Sequence, residues 1–192
     1  FSATVGVFKN GKYERISQTS MNDSLGLLYF YATVHMGMKP MEHEYKVMGL
    51  APYASPYDVD KACKKMAGLI SLDAGNLTFK AKFDAHLFGK FFKENLYGVR
   101  FDHFSGAVQK VTEDLLTSWV KESVKKTGIN RVALGGGVFM NVKANQKILE
   151  LAEVEELFIM PSCGDESNAV GACFWGSFEK GGIVPQTLKS LS

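Results

Sequence analysis

The segment "ALGGGVFMNVKAN", residues 133–145, sets three consecutive glycines between a short apolar run and a helical pattern. The run "RVAL", residues 131–134, predicts a buried strand, and "VKANQKILELA", residues 142–152, predicts the helix after it. Each glycine costs backbone entropy on folding, so the junction must use what glycine alone offers: a positive φ, or clearance for a close neighbour. Two readings are open on this physics. One is a tight turn with close strand–helix packing. The other is a loop cleared for a ligand, since open α/β sheets bind ligands beyond the carboxyl ends of their strands. The spacing is neither the G-x-G-x-x-G fingerprint nor a P-loop, because no Gly-Lys-Ser/Thr follows. Asn141 is placed to cap the following helix or, in the ligand reading, to hydrogen-bond a ribose.

A second junction of the same kind lies downstream. "EELFIM", residues 155–160, reads as a strand ended by Pro161, and "NAVGACFWGSFEKGG", residues 168–182, reads as a helix rich in small residues. Between them, Asp165 and Glu166 stand where the positive end of a helix favours carboxylates, so capping accounts for both. A phosphate at the same strand ends would be repelled by these acids unless a metal ion at Asp165 lay between them.

Outward from these junctions, residues 104–126 place Phe104, Val108, Val111, Leu115 and Trp119 on one helical face, ended by Gly128, with Asp102 as a candidate cap. From there the order is helix, strand, helix, strand, helix, which predicts an α/β layer with parallel strands. Residues 2–8 and 13–17 flank "KNGK", whose Asn10-Gly11 pair predicts a hairpin. "SLGLLYFYATVHMG", residues 24–37, is apolar all round and reads as a buried helix capped by Asp23 or Ser24. "MEHEYKVMGLAPYASP", residues 41–56, reads as a short helix broken at Pro52, and Lys46 within it is long enough to reach an anion. Residues 57–70 show helical spacing, "GNLTF" at 75–79 a short strand, and residues 80–102 no clear period.

The composition sets the bounds. With 46% hydrophobic residues, a chain of 192 residues can bury a substantial core, and a single lobe is expected, with residues 180–192 as a tail. The net charge of +2 is too balanced to signal nucleic acid or a membrane surface. Three cysteines without C-x-x-C spacing suggest neither a disulfide framework nor a zinc cluster, and a cytoplasmic setting is expected. His35, His43, His86 and His103 show no H-x-x-x-H or H-E-x-x-H spacing. The opening at Phe1, inside a strand pattern, suggests a piece of a longer protein.

Taken together, "EYKVMGLAPY", "LGGGVFMNVKANQKI" and "PSCGDESNAVGA", in this order and spacing, resemble the nodulation-type O-carbamoyltransferases. The "SLGLLYFYATVHMGMK" and "DHFSGAVQ" stretches are similar to that family as well, so the resemblance covers most of residues 1–178. It implies an actin-like ATPase (ribonuclease H-like) lobe, an α/β fold with a mixed sheet flanked by helices, related to the tRNA threonylcarbamoyladenosine synthases. It implies ATP and carbamoyl phosphate as substrates, a carbamoyl adenylate intermediate, and transfer to the hydroxyl of a small acceptor. Gly135, Gly136, Gly137 and Asn141 would then line the adenylate. Asp165 would fall at an aspartate that helps to hold Fe2+ or another divalent metal.

Two departures qualify this expectation. The family's H-x-x-x-H metal motif has no counterpart here, and its carboxyl-terminal domain is not represented. The chain would therefore correspond to the second half of the transfer domain, with the remaining parts of the same protein as its partners. Alone, it is expected to be inactive. The rival expectations are a lobe of another actin-like ATPase, such as a sugar kinase, and a non-catalytic assembly lobe.

Overall fold

The computed structural model describes residues 1–181, so most of the tail expected at 180–192 lies outside the described residues. Strands β1 (Ala3–Lys9) and β2 (Lys12–Thr19) form the expected antiparallel hairpin. Asn10 at φ 53° and Gly11 at φ 73° supply the two positive φ values that match a turn to the right-handed strand twist. Val5 lies opposite Ser17 and Gly6 opposite Arg15, so Ile16 is the extra residue of a β-bulge.

The buried helix α1 (Leu25–His35) is capped by Ser24, whose hydroxyl accepts from the Leu27 amide. Asp23, the other candidate cap, instead accepts from the Ala81 amide at 2.9 Å. Helix α2 (Glu44–Leu50) ends just before Pro52, as expected, and continues as a turn of 3-10 helix over Ala51–Tyr53. Helix α3 (Pro56–Met66) is shorter than the helix expected over 57–70. Gly68, at φ 73°, turns the chain out of it and into β3 (Ile70–Asp73), which pairs antiparallel with β4 (Thr78–Ala81). Residues 80–102 hold α4 (Phe88–Asn95), which buries Phe88 and Phe92 completely.

Helix α5 (Phe101–Thr127) is the spine of the molecule, 27 residues long and ended by Gly128 in the left-handed conformation at φ 67°. Asp102 does not cap it. It sits inside the first turn, almost fully buried, and takes an ion pair from Arg100 Nε at 2.8 Å. The buried arc is wider than the expected face: Phe104, Val108, Thr112, Leu116 and Trp119 are buried, while Val111 and Leu115 are half-buried at its edge.

Strands β5 (Arg131–Leu134) and β6 (Glu156–Ile159) pair in parallel, with helix α6 (Val142–Leu149) between them in the chain. Helix α7 (Ser167–Gly181) closes the described chain and buries none of its residues. The mixture of helix and sheet is as expected, but a single mixed sheet is not what forms. Among the described residues there are three separate two-stranded ladders. The hairpin is stitched to β4 by side chains instead of a backbone ladder: Ser17 Oγ donates to the Leu77 carbonyl at 2.9 Å, and Thr19 Oγ1 accepts from the Phe79 amide at 3.2 Å.

One consequence is titratable. His35 packs against Phe104 at 4.8 Å between ring centroids and against Phe92 at 5.9 Å. Desolvation, aided by the Lys93 ammonium, pushes its pKa below the ordinary 6.5. The folded state therefore binds this proton more weakly than the unfolded state. Stability is full above the unfolded value and falls as pH drops through 6.5 towards the depressed folded value. Thermal melts from pH 7.5 down to 5.5 are expected to show a falling midpoint, and His35→Gln is expected to flatten that slope.

Candidate functional site

At the end of β5 the chain passes through the three glycines. The Leu134 carbonyl accepts from the Met160 amide at 2.9 Å, which carries the parallel pairing one residue past β6. Gly136 adopts φ 102° and ψ 150°, a region that is essentially closed to other residues. Gly137–Met140 then make one turn of 3-10 helix before α6.

The packing reading of these glycines can be tested directly. A Cβ placed on Gly135, Gly136 or Gly137 would meet no atom within 4 Å. Close strand–helix packing does not explain them. Gly136 is needed for its φ, and all three border open space. That space is a recess of about 260 Å3, whose other walls include Thr4, Gly26, Phe79, Trp119 and Val138. Trp119 is held there by an indole N–H bond to the Leu77 carbonyl at 2.8 Å and by the Phe79 ring at 5.1 Å. A larger depression of about 490 Å3, near His35 and Phe104, is lined mainly by apolar side chains and has no glycine loop.

Asn141 caps α6, accepting from the Ala144 amide at 3.0 Å. It is also tied into a buried network. Gln109 Nε2 donates to Asn141 Oδ1 at 3.0 Å, and Asn141 Nδ2 donates to Gln109 Oε1 at 2.9 Å and to Tyr29 Oη at 3.3 Å. Gln109 Nε2 also donates to Glu113 Oε1 at 2.6 Å, and Glu113 is paired with Lys147 on α6. Tyr29 donates in turn to Gln109 Oε1, and burial raises its pKa well above the usual phenol range, so its proton stays in place.

The other expected site residues stand apart from this loop. Lys46 lies on α2, which packs on α1 and α5, and its ammonium sits 5.8 Å from the centre of the Tyr45 ring. Asp165 is exposed in the turn before α7. Neither lines the recess. Beside Asp165, Glu166 folds back to accept from Ser162 Oγ, and this bond holds its carboxyl below the usual range. Among the described residues, no three His, Cys, Asp or Glu side chains converge as a metal would require. A single exposed carboxylate does not fit a metal centre, and no chemical step is assigned to one.

The sequence did not connect Gln109 to Asn141, nor single out Tyr29 and Glu113. A signal was present. Gln109 and Glu113 are one helical turn apart beside Val108, Thr112 and Leu116 on the inward side of α5, and a polar pair so placed needs a buried partner.

A parallel strand pair whose first strand opens into a cleared glycine loop defines an α/β protein with a recess at the end of that strand. The chain belongs to the carbamoyltransferase N-terminal family, whose model matches residues 2–174. It is 30% identical over 172 residues to the nodulation protein NolNO of Sinorhizobium fredii, covering 86% of this chain and 24% of that protein. It is likewise 30% identical over 174 residues to nodulation protein NolO of Bradyrhizobium diazoefficiens, covering 86% of this chain and 30% of that one. An uncharacterized protein of Synechocystis, sll1178, is 33% identical over 162 residues, covering 78% of this chain and 26% of its own length. The chain thus spans about a quarter to a third of the curated relatives it matches. Among the described residues, no helix is long and apolar enough to cross a membrane.

Proposed function

We propose that this chain is the nucleotide-facing part of an O-carbamoyltransferase that moves a carbamoyl group from carbamoyl phosphate, through carbamoyl adenylate, to the hydroxyl of a small acceptor. The observation that carries the reading is the open space over Gly135, Gly136 and Gly137. A bound nucleotide could approach this backbone closely, which side chains would prevent. ATP would supply the adenylyl group that activates the carbamoyl unit. The chain's own part is to seat the nucleotide against the glycines and to keep water from it with the apolar wall of Phe79 and Trp119. The underlying lobe would be of the actin-like ATPase type.

Further polypeptide is proposed to complete the cleft and to supply the acceptor site and any metal ligands. The exposed face of α7 supports this: Val170, Phe174 and Trp175 are apolar and uncovered. The 192-residue chain alone is accordingly proposed to be inactive.

The test is isotopic, made on a polypeptide extended to the length of the relatives. With 14C-carbamoyl phosphate and γ-32P-ATP together, 14C is expected to enter the acceptor and 32P is not. Entry of 32P alone would replace this reading with that of a sugar kinase. Entry of neither label, with ATP failing to bind, would point to an assembly lobe without catalysis.

A further inference from the structure

The hydrogen-bond inventory of the buried network leads beyond the site as described. The Asn141 amide has two donor hydrogens and two acceptor lone pairs. Nδ2 is used by Gln109 Oε1 and Tyr29 Oη, and Oδ1 by Gln109 Nε2 and the Ala144 amide. Nothing is left over for a ligand. Gln109 is equally complete, with two donors and two acceptors engaged.

The chain of bonds also has a fixed direction. The Glu113 carboxylate can only accept, so Gln109 must turn Nε2 towards it and Oε1 towards Tyr29. The Ala144 amide can only donate, so Asn141 must turn Oδ1 towards it and Nδ2 towards Gln109 Oε1. Both ends thus dictate the same orientation for the two amides. Tyr29, Gln109, Glu113 and Asn141 are all less than one-tenth exposed, so water cannot readily substitute for a lost partner. The network joins α1, α5 and α6 at the residue where the glycine loop ends.

We infer that Asn141 is a positioning residue: Tyr29 and Gln109 clamp its side chain, and the clamp sets the conformation of the glycine loop without lending the ligand a hydrogen bond. The consequence for nucleotide binding rests on the function proposed above, whereas the clamp itself does not.

Asn141→Asp separates the two roles of this side chain. Aspartate is as good a helix cap as asparagine, but it offers no donor to Gln109 Oε1. Amide hydrogen exchange of the 192-residue chain is the first readout. Amides of residues 136–140 are expected to exchange at least about tenfold faster in the variant, with those of 116–124 in α5 unchanged. Uniform acceleration would reduce Asn141 to a general stabiliser, and unchanged exchange would remove the clamp altogether; either overturns the inference. Should Asn141→Asp fail to fold, Tyr29→Phe removes one bond and keeps the ring, and the same local acceleration is expected at about threefold or more.

The second readout is ATP affinity of Tyr29→Phe, expected to fall about threefold to tenfold. If the unaltered protein, extended to the length of the relatives, binds no ATP, the nucleotide reading fails while the exchange result on the 192-residue chain still decides the clamp. If ATP binds and Asn141→Asp leaves both its affinity and the loop exchange unchanged, the clamp fails while the nucleotide reading stands.

Discussion

Gly135→Val is expected to keep the fold and to lower ATP affinity at least about tenfold, or about 1.4 kcal/mol. Gly135 has no positive φ, unlike Gly136, so a side chain there brings no backbone strain. No atom beyond its chain neighbours lies within 4 Å of its would-be Cβ, so the first side-chain carbon has room in the folded chain. It follows β5 directly, where a β-branched residue is well tolerated. The branched carbons would then project into the space that the nucleotide is proposed to use. Circular dichroism and thermal melting check the fold, and ATP titration checks the affinity. Gly136→Val would be a poorer test, because its φ of 102° confounds strain with obstruction.

The second large effect concerns stability. Phe104→Ala is expected to cost about 3–5 kcal/mol in denaturant unfolding. Phe104 is 1% exposed and packs edge-on to Phe92 at 5.2 Å and against His35 at 4.8 Å. Its removal opens a cavity where α1, α4 and α5 meet, and large aromatic rings in such a place leave gaps that neighbours fill only partly. Because His35 loses one aromatic wall, its pKa should return towards 6.5 in the variant, which links this prediction to the pH dependence given above.

Much of this architecture was legible in the residues. Asn10-Gly11 specified a turn that only positive φ values satisfy, and Gly128 specified the end of α5 for the same reason. The apolar run from Leu25 and the runs at 131–134 and 156–159 became the expected helix and parallel strands. What was not legible has physical causes. Strand β3 was hidden because Leu69 and Ile70 continue the helical spacing of α3, which breaks at Ala67, with ψ 129°, and at Gly68, with φ 73°. Helix α4 was hidden because adjacent phenylalanines blur a period over so short a span.

At the site, local sequence placed Asn141 at a helix cap, and the cap is there. Its partners Tyr29 and Gln109 lie 112 and 32 residues away, so only the tertiary fold could reveal the network. The choice between packing and clearance for the glycines was equally closed to sequence, since it depends on which atoms stand nearby.

The central claim is that the space over the glycines is for a nucleotide, and the most direct test is ATP titrated into the isotopically labelled chain under amide-resolved NMR. The account predicts shifts concentrated at Gly135, Gly136, Gly137 and the Trp119 indole N–H, reduced or lost in Gly135→Val. Shifts confined to other surfaces, or an identical response in the variant, would contradict it.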